Sequence, residues 1–60
     1  MSHFRLTYEV ISPKRVDIYV SVGKEKDAHH TPCGVLIMSI EQWEAFRSYL
    51  RPEIEIREDK

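Results

Sequence analysis

The stretch Ser39-Ile40-Glu41-Gln42-Trp43-Glu44-Ala45-Phe46-Arg47-Ser48-Tyr49-Leu50-Arg51-Pro52 carries a full helix specification, placed directly after an unbroken apolar run. Ser39 is a favoured N-cap residue, and Gln42 three positions on can reach back to complete a capping box. Glu41 near the start and Arg47 and Arg51 near the end each complement the helix dipole. Pro52 disfavours the α conformation at Arg51 and lacks an N–H, so the helix is expected to stop there. A step of about 100° per residue puts Ile40, Trp43, Phe46 and Leu50 on one stripe, with Arg47 inside it and Tyr49 at its edge. Glu41, Glu44 and Ser48 take the opposite side. The stem of Arg47 is expected to snorkel over Trp43 or Leu50.

Working outward, residues 3–11 alternate strictly, with Phe4, Leu6, Tyr8 and Val10 on one side and His3, Arg5, Thr7 and Glu9 on the other. Residues 16–22 alternate again, with Val16, Ile18, Val20 and Val22 set against Asp17, Tyr19 and Ser21. Ser12-Pro13-Lys14-Arg15 between them is turn chemistry, so the two runs are expected to form an antiparallel hairpin. Gly34 to Met38 reads as a third strand that is apolar on both faces. Residues 53–57 alternate as a short fourth strand, where Glu53 and Glu55 read as edge protection. The expected fold class is α+β: a small antiparallel sheet in the order β1-β2-β3-α with a short β4, and one amphipathic helix packed on one face. Residues 1–60 form a single domain, residues 23–33 a long polar loop, and residues 58–60 a frayed tail.

Sixty residues bury only about 60% of the surface that the unfolded chain exposes, so small chains usually add disulfides, a metal or a second subunit. Cys33 is the only cysteine, which excludes an intrachain disulfide and points to a reducing, cytoplasmic compartment. The net charge of −1 argues against a polybasic nucleic-acid or membrane binder. The longest apolar run, Val35 to Met38, is far too short to span a bilayer, and Met1-Ser2-His3 has no signal-peptide apolar region.

Three groups of residues invite a functional reading. Asp27-Ala28-His29-His30-Thr31-Pro32-Cys33 holds three zinc-type ligands, His29, His30 and Cys33, but lacks the fourth that a closed site needs, and His3 is distant in sequence. A Cys33–His29 or Cys33–His30 catalytic pair, with Asp27 as the orienting group, would need separate rigid elements and a water-excluding pocket that so short a chain hardly supplies. No enzymatic activity and no cofactor are therefore expected. Lys14, Arg15, Lys24, Lys26 and Arg47 are the candidate contacts for a small anionic ligand or nucleic acid, yet the hairpin places the first two and the next two at opposite ends of the sheet.

The remaining group is apolar. Tyr19 lies opposite the apolar set of its strand, and Leu36 and Met38 are expected to join it in a patch on the sheet face away from the helix. The leading expectation is accordingly a small cytoplasmic, non-enzymatic regulator that forms a homo-oligomer through Tyr19, Leu36 and Met38 and binds a larger protein partner.

Overall fold

A computed structural model describes residues 2–59. Five elements follow in order: β1 (His3–Ser12), β2 (Arg15–Gly23), β3 (Thr31–Met38), α1 (Ile40–Ser48) and β4 (Glu55–Glu58). The sheet has the order β3-β2-β1-β4, so β3 and β4 form its two edges. The first three strands pair antiparallel, as their alternation and the Pro13-Lys14 turn require. The helix connection then carries the chain across the sheet and lays β4 parallel to β1, which makes the sheet mixed rather than wholly antiparallel.

The helix begins as the sequence demands. Ser39 Oγ accepts from Gln42 N at 3.1 Å and Ser39 N donates to Gln42 Oε1 at 3.1 Å, so both arms of the capping box are made. It ends earlier than Pro52 alone would dictate. Tyr49 N donates to Phe46 O and Leu50 N to Arg47 O, so the last turn tightens into three-residue bonds before the proline is reached.

Leu6, Val16, Ile18 and Trp43 form the buried core, with Tyr8, Val20, Met38, Ile40, Leu50, Ile54 and Ile56 packed around it. Phe4 and Phe46 remain 46% and 37% exposed, so neither belongs to the centre of the core as the apolar stripes suggest. A helix of nine residues is too short to cover both ends of ten-residue β1. The guanidinium carbon of Arg47 lies 5.4 Å from the ring centroids of both Tyr8 and Trp43, so the charged head itself meets the aromatic surface, where snorkelling would place only the stem. The indole N–H of Trp43 is buried with no hydrogen-bond partner.

Two boundaries differ from the sequence reading. β3 starts at Thr31, so the irregular loop spans only residues 24–30. Pro32 fits within a strand here because β3 is an edge, and the register shifts at this end so that Cys33 is left without a partner residue. At the C-terminus Glu58 is in β4 and Asp59 N donates to Tyr8 O at 2.7 Å, so the expected fraying does not extend to these residues. Lys60 lies outside the described residues.

Candidate functional site

Strand register decides which side chains share a face, because directly paired residues point the same way. Val16 pairs with Met38 and Ile18 with Leu36, so Leu36 and Met38 lie on the helix side. This corrects their assignment to the outer face: a continuous apolar run has no phase of its own, and only the pairing with β2 supplies one. Tyr19 does face outward, where its ladder partner is Val35, and Ile37 stands beside Asp17 on the same face. Tyr19, Val35 and Ile37 are 39%, 55% and 62% exposed. The outer face thus carries an apolar strip toward β3 and a charged strip toward β4, where Arg5 pairs with Glu55 and Thr7 with Arg57.

β3 is also an edge with no charged side chain along its eight residues. Leu36 is 39% exposed on the helix side, so the edge presents apolar groups on both faces. Such an edge leaves backbone N–H and C=O groups free to pair with another strand.

A second cluster gathers where β1, β4 and the 24–30 loop meet. His3 Nδ1 lies 3.0 Å from His30 Nε2, and His30 Nδ1 donates to Ala28 O at 2.8 Å. The rings meet edge to face, and His30 is 9% exposed. Arg5 Nε donates to Glu55 Oε1 at 3.1 Å and Arg5 Nη2 to Lys26 O at 3.2 Å, tying the loop to both strands. Glu55 also pairs with Arg57. Burial pushes the pKa of Glu55 up, but the hydrogen bonds and charges of Arg5 and Arg57 outweigh it and hold it below the ordinary carboxylate value.

His3 is the residue that sequence spacing missed. The signal was present in the hairpin, since pairing His3 with Gly23 brings it to the loop that ends at His30. Among the described residues no three His, Cys, Asp or Glu side chains group as metal ligands. His29, His30 and Cys33 therefore do not assemble as a trio: Cys33 is exposed in β3, whereas His30 turns inward to His3. Among the described residues no hydrogen bond joins Cys33 to an imidazole, and both ring nitrogens of His30 are engaged elsewhere.

An open hollow of about 540 Å³ lies on the outer face beside this cluster, lined by Arg5, Thr7, Tyr19, Ser21, His29 and Val35 among others. None of Lys14, Arg15, Lys24, Lys26 and Arg47 lines it. Arg15 is committed to Asp17 through two hydrogen bonds of 2.8 and 3.2 Å, and that contact raises its pKa above the ordinary value. Arg47 is held over Tyr8 and Trp43 on the other side of the sheet. The five cations do not converge on one surface.

Among the described residues no helix is long and apolar enough to cross a membrane. Comparison with protein-family models, with curated proteins and with solved structures returns no significant match.

Proposed function

We infer that the chain is a small non-enzymatic interaction module that pairs with a second copy of itself and, as a dimer, engages a larger protein in the cytoplasm. The observation that carries this reading is β3, an uncharged edge strand apolar on both faces. In an antiparallel β3–β3 pair, Val35, Leu36 and Ile37 gain cross-strand apolar neighbours and the free backbone groups gain partners. No like charges meet, because the strand has none. The opposite edge is unsuited to such pairing, since β4 is only Glu55-Ile56-Arg57-Glu58. A two-fold arrangement closes after two copies and so favours a dimer over a fibre. The Tyr19 strip of each copy then lies on one continued sheet surface, the face offered to the larger partner.

Sedimentation analysis of the wild type and of Ile37→Lys over a wide concentration range tests the reading. A wild type that dimerises and a variant that is monomeric and folded support it. A wild type that stays monomeric at high concentration overturns it.

A further inference from the structure

His3 and His30 stand nitrogen to nitrogen, and each faces an oxygen acceptor from its far nitrogen. The Ala28 carbonyl can only accept, so the hydrogen-bond network assigns the proton of His30 to Nδ1 and leaves a lone pair on Nε2. His3 Nδ1 then donates to that lone pair across 3.0 Å. On the other side of the His3 ring, Nε2 lies 3.9 Å from Glu55 Oε1. This is beyond direct hydrogen-bond range but close enough for a carboxylate to favour an N–H there, directly or through water.

We propose that His3 and His30 form a two-histidine site for a divalent first-row transition ion. Binding moves the His3 proton from Nδ1 to Nε2, toward Glu55, and leaves the Nδ1 and Nε2 lone pairs of the two rings facing one gap. The chain loses no net proton, since one tautomer replaces another, and the ion sits about 1.4 Å to one side of the N···N line that the hydrogen has left. Metal-bound imidazoles usually have the far nitrogen held by a carbonyl or carboxylate; His30 already has this from Ala28 O, and Glu55 stands 3.9 Å from the far nitrogen of His3. Two metal–nitrogen bonds of about 2.05 Å across the 3.0 Å gap meet at about 94°. That suits neighbouring positions of a square-planar or octahedral ion, and a gap wider by a few tenths of an ångström reaches the tetrahedral angle of zinc. His3 keeps 18% of its side-chain surface exposed, so the remaining positions are open to water.

The backbone is shaped for this contact. A Cβ at Gly23 would lie 2.9 Å from both Cε1 and Nδ1 of His30, so only glycine admits the ring at its observed depth. The site would clip the 24–30 loop to the first strand, a form of cross-link that small single-core chains commonly use.

The test is a calorimetric titration of the tag-free protein with Zn(II) alone, followed by thermal melting with and without the ion. The expected result is saturable binding in the micromolar range and a melting temperature that rises by several degrees, with Mg(II) inert. His3→Ala and His30→Ala should each weaken binding about tenfold or more, while His29→Ala leaves it unchanged. Gly23→Ala, which keeps both imidazoles but displaces one, should also weaken it. Should Gly23→Ala fail to fold, the contrast between His29→Ala and His30→Ala remains decisive. Equal zinc affinity in His30→Ala and the wild type overturns the proposal, as does an equal loss in His29→Ala, or ring-nitrogen resonances that place zinc on Nε2 of His3.

Discussion

Tyr19 stands directly opposite Val35 across the β2–β3 ladder, and both side chains face away from the helix. Their neighbours one step along the strands, Ile18 and Leu36, are also paired, and they lie on the core side. The two faces of one edge strand are thereby given different roles.

That division sets the first prediction. Met38→Asp places a charge against the core beside Val16 and should cost several kcal/mol, about enough to unfold so small a domain. Val35→Asp puts the same charge on the exposed face, opposite Tyr19, and should leave the monomer folded while abolishing self-association. Urea denaturation of both variants, alongside sedimentation, separates the two effects. Equal destabilisation by the two would show that the strand's phase is misassigned.

Trp43 supports a prediction with two arms. Trp43→Ala removes the one helix side chain in the buried core and should cost about 3–5 kcal/mol. Trp43→Phe loses ring volume but also removes a buried N–H that has no partner, whose desolvation costs about 1–3 kcal/mol. Its net destabilisation should be far smaller. Equilibrium unfolding followed by far-ultraviolet circular dichroism checks both.

The carboxylate of Glu55 makes the fold acid-sensitive. Its pKa is depressed in the folded state, so its contribution is fully present above the unfolded value near 4.5. It is lost as pH falls through the lower folded value. Stability measured from pH 7 down to pH 3 should therefore decline in the acidic part of the range, and Glu55→Gln should flatten that decline.

In the 24–30 loop and its border the side chains are not equivalent. His29→Ala with Cys33→Ser should change stability by less than about 1 kcal/mol, as exposed positions usually do. His30→Ala removes the contacts to His3 and Ala28 and should speed amide exchange through the loop. Exchange rates measured in parallel on the two variants distinguish them.

The helix start, the hairpin and the core side of β1 and β2 were legible from the sequence, because each rests on interactions a few residues apart. Ser39 and Gln42 meet within one turn, and alternation sorts Leu6 or Ile18 onto a face without reference to any other strand. Tertiary structure alone decided the rest. The outward side of β3 was hidden because Val35 to Met38 is apolar throughout, and only pairing with β2 selects Val35 and Ile37 as exposed. β4 lies parallel to β1 because the connection through α1 returns the chain across the sheet, a long-range choice with no local signal. The His3–His30 contact joins residues 27 positions apart in sequence. It forms because the hairpin sets His3 opposite Gly23, where the missing side chain leaves room for the second imidazole.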